Sequence, residues 1–275
     1  MKPHCIPLFL SLLMTSCSSV QKPPSVEAAP KQLSLWEIAQ TLQSKSWVDL
    51  THTFDRNTPH WKGFKPMGRK DLFTIRKDGF HVEQFCHVGQ WGTHVDPPAH
   101  FHEGLRNVEN IPVDQMLLPL VVIDVHDKAE KNPDYVLTLD DIKTWEKKYG
   151  TIPQGAFVAM RTDWSKRWPD DRSMQNLDRS GTAHYPGWSA ETLKLLFEER
   201  KITATGHETT DTDPGLATTK DDYSLESYIL KTNHYQIELL ANLDRVPEAG
   251  ALVVVSWPKV AHGSGFPARV FAILP

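Results

Sequence analysis

Two imidazoles and a carboxylate fall within the seven residues from His94 to His100, in the stretch Gln90-Trp91-Gly92-Thr93-His94-Val95-Asp96-Pro97-Pro98-Ala99-His100-Phe101-His102. Neutral imidazole nitrogen and ionised carboxylate are ordinary ligands for Zn²⁺ and other divalent first-row cations. Residues two apart on an extended chain face the same side, and a residue before proline is biased toward extended backbone. His94 and Asp96 are therefore expected to present their side chains together. Pro97-Pro98 then turns the chain and removes two backbone donors, which brings His100 back toward the same place. The spacing suits two metal ligands with a base beside them. In a chain with 13 histidines it also suits a hydrogen-bonded structural pair, and spacing alone does not choose.

The run Gly92-Thr93-His94-Val95-Asp96-Pro97-Pro98-Ala99-His100-Phe101 resembles the signature of the metal-dependent cyclase-like hydrolases, the family of bacterial kynurenine formamidase and isatin hydrolase. The resemblance extends from about Val48 to the C-terminus. It takes in Tyr185-Pro186-Gly187-Trp188-Ser189, the segment from Gly206 to Pro214, and Ile237-Glu238-Leu239-Leu240-Ala241-Asn242-Leu243. It implies an α/β domain with a mixed sheet, in the swivelling β/β/α cyclase-like architecture, over residues 32–275. It also implies hydrolysis of a C–N bond in a small amide, formamide or lactam. By the same resemblance a divalent metal, Mn or Zn, is held by His94, Asp96 and Glu238, activates water, and has His100 beside it as the catalytic base.

Two positions depart from the family pattern. Gln90 stands where the pattern opens with histidine, and Glu226 stands where it has a histidine twelve residues before the glutamate. Gln90 and Glu226 are carried as candidate ligands. Oxygen donors there would harden the site toward Mn²⁺-like ions, and they count against a two-metal centre. Glu226 falls on an expected helix, where a solvated carboxylate is the simpler reading. The departures also leave a second functional class open, a catalytically degenerate exported protein that binds a small molecule or a metal.

His207, in His207-Glu208-Thr209-Thr210-Asp211-Thr212-Asp213-Pro214-Gly215, is expected either to replace a missing nitrogen ligand or to touch substrate. Asp211-Thr212-Asp213 lacks the later acidic ligands of a calcium loop. An inward-facing Glu238 needs a partner, either the metal or a cation such as Arg269 or Lys231. Trp61, Phe64, Trp91, Trp164 and Trp168 lie in loop-like or strand-end contexts, where aromatic side chains can line a pocket for a flat ring. Trp61 and Trp91 are taken as substrate contacts.

The elements that must position these groups alternate between helix and strand. Helical spacing predicts helices over Leu35 to Leu42, from a Thr138 cap to Tyr149 with Gly150 closing it, from a Ser189 cap through about Arg200, and over Asp222 to Leu230. Strands are predicted at Trp47 to Thr51, Phe80 to Val88, Leu120 to Val125, Ala156 to Met160, Ile202 to Gly206, Tyr235 to Leu240, Ala251 to Ser256 and Arg269 to Leu274. The β-branched run from Leu120 suggests a strand covered on both faces.

Ahead of this domain, Lys2, the apolar run from Ile6 to Met14, and Met14-Thr15-Ser16-Cys17 resemble a lipoprotein-type export signal over residues 1–17. That implies a periplasmic or outer-membrane protein anchored through lipid on Cys17. Residues 18–31, rich in Pro, Ser and Ala, read as a disordered tether. A formal charge of −4 and a pI near 6.3 give no electrostatic footprint for nucleic acid. The expected partners are a small-molecule amide substrate, the membrane through the anchor alone, and further copies of the chain in a homo-oligomer. Cys86, the one cysteine outside the signal, is read as a small buried strand residue.

Overall fold

The computed structural model describes Met1 and residues 32–275. The expected signal and tether therefore lie outside the described residues. In chain order the strands are β1 (Trp47–Asp49), β2 (Gly68–Phe73), β3 (Val82–Cys86), β4 (His94–Asp96), β5 (Leu117–Asp124), β6 (Phe157–Arg161), β7 (Ala204–His207), β8 (Tyr235–Glu238), β9 (Ala251–Ser256), β10 (Phe266–Pro267) and β11 (Arg269–Ile273). Nine of them form one mixed sheet in the order β1-β11-β9-β5-β6-β7-β8-β4-β10. β5 to β8 are parallel, and the strands flanking them on both sides are antiparallel. The sheet curls on itself: Thr51, just past β1, bridges to Leu240, just past β8, and the Ala241 amide donates to the Leu50 carbonyl.

Burial on both faces of β5 follows from its β-branched run. Leu120 and Val122 point into the curl with Leu50, Val95, Phe157 and Ile237. Val121 and Ile123 point outward against a helical layer. That layer includes α4 of the helices α1 (Leu35–Gln43), α2 (Ile75–Asp78), α3 (His126–Lys131) and α4 (Leu139–Tyr149). Thr138 and Asp141 form a capping box at the start of α4, and Gly150 ends it at φ 90°, as the sequence predicts. The remaining helices are α5 (Asp171–Gln175), α6 (Ala190–Lys194), α7 (Gly215–Thr218) and α8 (Ser224–Lys231). Ser189 caps α6, whose last turn widens over Leu195–Glu199 into a π-turn. Leu193, Leu196 and Phe197 stay on the buried side throughout. Among the described residues no helix is long and apolar enough to cross a membrane.

Three expectations need correction. The strand predicted from Phe80 shortens to β3, which pairs only with β2 in a hairpin apart from the main sheet. Cys86 consequently sits exposed on that hairpin instead of buried. The strand predicted to Leu240 ends at Glu238, because Leu239 takes a left-handed backbone at φ 55°.

Candidate active site

The antiparallel register of β4 and β8 sets His94 opposite Glu238 and Asp96 opposite Gln236. Since alternate residues share a face, four polar side chains gather on one buried patch of sheet. His94 Nε2 lies 3.4 Å from Asp96 Oδ2 and 3.5 Å from Glu238 Oε2. These separations are long for hydrogen bonds between such groups. They are separations that one divalent cation, with ligand bonds of about 2.1 Å, would span.

His94 Nδ1 lies 2.8 Å from the Gly92 carbonyl oxygen. A carbonyl only accepts, so the proton of the neutral ring sits on Nδ1 and the bare Nε2 faces two carboxylates. A lone pair aimed at two anions is repulsive unless a cation or a proton stands between them, and a backbone bond at the far nitrogen is the usual orienter of a metal-ligating histidine. Asp96 Oδ1 is buried without any hydrogen-bond partner. No lysine or arginine among the described residues pairs with Asp96, Glu226 or Glu238, so the expected alternatives of Arg269 or Lys231 for Glu238 do not hold. The donor set fits a divalent cation.

The electrostatics show the same demand for positive charge, which a proton on His94 meets when no metal is bound. Burial opposes charge on both His94 and Asp96, yet their mutual attraction wins. It raises the His94 pKa and holds Asp96 down to about 2. Burial pushes Glu238 well above the carboxylate range, helped by the nearby Glu226, Asp96 and Asp211. Excess buried negative charge of this kind is stable only with a compensating positive group or added protons.

A second cluster shares Asp96. His100 Nε2 is 3.9 Å from Asp96 Oδ1 and 3.9 Å from Glu226 Oε1, and ligand atoms of Asp96, His100 and Glu226 lie within 4.8 Å of one another. The 3₁₀ turn Pro98–His100 performs the reversal that the two prolines predict. Glu226 arrives on the first turn of α8, where Asp213 accepts the Leu225 and Glu226 amides at 2.9 and 3.0 Å. The solvated reading of Glu226 is corrected: it is buried, and burial with neighbouring acids drives its pKa well up. Burial holds the half-buried His100 below its ordinary value, which leaves a neutral ring able to accept a proton near pH 7. Gln90 stands at the wall and outside both clusters. Its amide nitrogen donates to the Ser264 carbonyl at 2.8 Å and lies 3.4 Å from His100 Nδ1.

These groups open onto a cavity of about 460 Å³ whose other wall is aromatic: His60, Trp61, Phe64, Phe101 and Tyr223. Trp61 donates its indole proton to the Tyr223 hydroxyl at 3.1 Å. Of the aromatic residues expected at a pocket, Trp61 and Phe64 line this cavity; His60, Phe101 and Tyr223 line it as well and carry no local pattern that marks a pocket. Sequence reasoning also missed Gln236, whose only signal was its place two residues before Glu238 on a strand.

Other candidates are corrected. Trp91 has no exposed surface. Its indole donates to the Asp55 carbonyl, and its ring packs against His60 at 4.6 Å, so it supports the wall and cannot touch substrate. Trp164 is buried against Met174, and Trp168 stacks on His52, both away from the cavity. His207 is fully buried behind Glu238, with its pKa lowered to about 3 by burial, and is no substrate contact. Trp91→Ala is therefore expected to cost about 3–5 kcal/mol of stability in urea denaturation. Trp61→Ala, at a residue 45% exposed, should cost under about 1 kcal/mol and show its effect in KM.

The cyclase family model matches residues 48–214. The chain belongs to the cyclase family. It is 33% identical over 189 residues to isatin hydrolase of Roseibium aggregatum, covering 67% of this chain and 71% of that one. The solved structure of an isatin hydrolase bound to the product analogue thioisatinate superposes with a TM-score of 0.81 at 30% identity, over 88% of this chain and 97% of its own. A structure described as a predicted metal-dependent hydrolase from Bacillus stearothermophilus shares the fold at TM-score 0.63 and 20% identity, over 83% of this chain and 98% of its own. The cyclase-family architecture inferred from the His94 to His100 signature is thus the one the chain adopts.

Proposed function

We propose that this cyclase-family protein hydrolyses the C–N bond of a small aromatic amide, formamide or lactam, with a divalent cation seated among His94, Asp96 and Glu238. The observation that carries the reading is His94 Nε2 set 3.4 and 3.5 Å from two buried carboxylates with which no lysine or arginine among the described residues pairs. The acid-rich donor set favours Mn²⁺ over Zn²⁺. When bound there, a divalent cation acidifies water and polarises an amide carbonyl.

The chain's own residues supply the rest. His100, neutral and within 4 Å of both Asp96 and Glu226, takes the proton from the attacking water at Nε2 and returns it to the leaving nitrogen. Burial and the neighbouring acids raise the Glu226 pKa, which disfavours a second negative charge beside His100. Trp61, Phe64, Phe101 and Tyr223 hold the substrate ring against an apolar wall and exclude water. The likeness to isatin hydrolase supports a ring-fused amide as the first substrate class to test. Metal quantification of the purified domain, coupled to a screen of formamides, lactams and cyclic imides with and without chelator, tests the proposal. Chelator-sensitive turnover is expected. A metal-free protein that binds aromatics without turning them over would refute the hydrolase reading and leave the binder.

The β2–β3 hairpin supports self-association. Leu72, Phe73, Ile75, Phe80, Val82 and Phe85 are 39–71% exposed on it, its charges are of both signs, and an isolated two-stranded hairpin is marginal in water. Changing Phe73 and Phe80 together to Ser is expected to convert an oligomer to a monomer in light scattering. A wild type that is already monomeric would end this reading. The lipid anchor rests on the pattern of residues 1–17, and fatty-acid labelling that Cys17→Ser abolishes would support it.

A further inference from the structure

We infer that Arg106, Lys201 and His234 form a second ligand site, which binds a small oxyanion, a carboxylate or a phosphate, at the end of the sheet opposite the catalytic groups. The site stands independently of the proposed cation seat.

The three residues line an open cavity of about 420 Å³ together with Gln115, Thr203 and Asn233. It lies where the chain enters β6, β7 and β8, which run parallel. From His234, just ahead of β8, to Glu238 at its end is about 13 Å at ~3.3 Å per residue. The pocket and the catalytic cavity share no lining residue. Its charge is one-sided: among the described residues no carboxylate lines it, and neither Arg106 nor Lys201 has an acidic partner. Arg106 is half-buried and spends its donors on neutral oxygens. Nε donates to the Asn233 amide oxygen at 2.9 Å, one terminal nitrogen to the Asn233 carbonyl, and the other to the Gln115 amide oxygen at 3.3 Å. A guanidinium carries five N–H groups, so two remain. His234 Nδ1 lies 3.1 Å from the Thr203 carbonyl oxygen, to which it donates, and its ring packs on Phe197. Burial first, and then the charges of Arg106 and Lys201, hold the His234 pKa below its ordinary value. Cations gathered in a partly desolvated pocket without an acid repel one another, and an oxyanion removes that repulsion. The C-terminus of α8, which Arg106 also meets at Asn233, offsets only about half a charge. A guanidinium fork joined by an ammonium suits the oxygens of a carboxylate or phosphate.

Arg106 also ties this pocket to the catalytic turn. Its carbonyl accepts the Ala99 amide at 3.0 Å, within the 3₁₀ turn that carries His100. Its side chain grips the end of α8, whose first turn carries Glu226. An anion seated on Arg106 therefore braces the two elements that bring His100 and Glu226 together.

The test titrates the full chain with inorganic phosphate and, separately, with benzoate, a carboxylate of the kind amide hydrolysis releases. In amide NMR spectra the Gly155, Lys201 and Asn233 resonances should shift along a saturating curve, and the His234 pKa should rise as the anion answers the neighbouring charges. Arg106→Gln should weaken binding by about 10- to 100-fold, the usual contribution of a charge-assisted hydrogen bond. Lys201→Gln, at an exposed side chain with no hydrogen bond to lose, should weaken it by about 10-fold. Lys70→Gln, on the β2–β3 hairpin, removes the same charge elsewhere and should stay within twofold of wild type. Should Arg106→Gln fail to fold, Lys201→Gln against Lys70→Gln still decides the matter. The anion that binds more tightly tells a carboxylate site from a phosphate site. Pocket amides that neither anion moves, benzoate shifts confined to Phe101 and Tyr223 with phosphate silent, or affinity in Lys201→Gln equal to that in Lys70→Gln would overturn the assignment. None of these outcomes bears on whether a metal sits at His94, so failure here is distinct from failure of the hydrolase reading.

Discussion

Asp96→Asn is expected to lose bound metal and turnover together, lowering kcat/KM by about 10³-fold or more. Asp96 is the residue both clusters share: its Oδ2 faces His94, and its unpartnered Oδ1 faces His100. The amide keeps the shape of the side chain and removes the charge that any cation at either cluster would meet. A thermal readout separates lost binding from lost chemistry. At a hundredfold excess over Kd, metal should stabilise the wild type by about 2.7 kcal/mol, a rise of several degrees in Tm for a domain of this size. Asp96→Asn should show no rise. Metal content measured by mass spectrometry on protein purified without chelator is the direct check. A variant that keeps stoichiometric metal and turnover within tenfold of wild type would remove Asp96 from the site.

His100→Ala is expected to act differently, with turnover down by about 10²- to 10⁴-fold, the usual contribution of a general base, and metal content retained. His100 faces the cavity on its 3₁₀ turn, and its contacts to Asp96 and Glu226 are longer than those within the His94 cluster. The effect should fall on kcat more than on KM, because the ring moves a proton and does not grip the substrate. Loss of metal and activity in parallel would reassign His100 as a ligand, with Asp96 and Glu226, of a second cation.

The pairing of His94 with Asp96, the turn that returns His100, and the caps of α4 and α6 were legible in the residues themselves. Each depends on interactions within a few positions: alternation along a strand, the fixed φ of proline, and a threonine or serine oxygen meeting an amide three residues on. Whether Glu238 would reach His94 depended on a pairing between distant strands, and the resemblance to a family supplied that expectation before the register of β4 and β8 showed it. Burial is a property of the assembled sheet. Glu226 looked solvated on its helix until Asp213 was seen to draw the start of α8 against the site, and Trp91 looked available to substrate until it proved to lie beneath His60. Cys86 erred the other way, because β3 belongs to a hairpin that the main sheet does not cover. Local chemistry thus nominated the ligands, whereas long-range packing decided which of the nominated groups face one another, which face the cavity, and which stand behind it. That division is physical: side-chain direction follows from backbone geometry over a few residues, but desolvation and charge balance follow from what the rest of the chain places alongside.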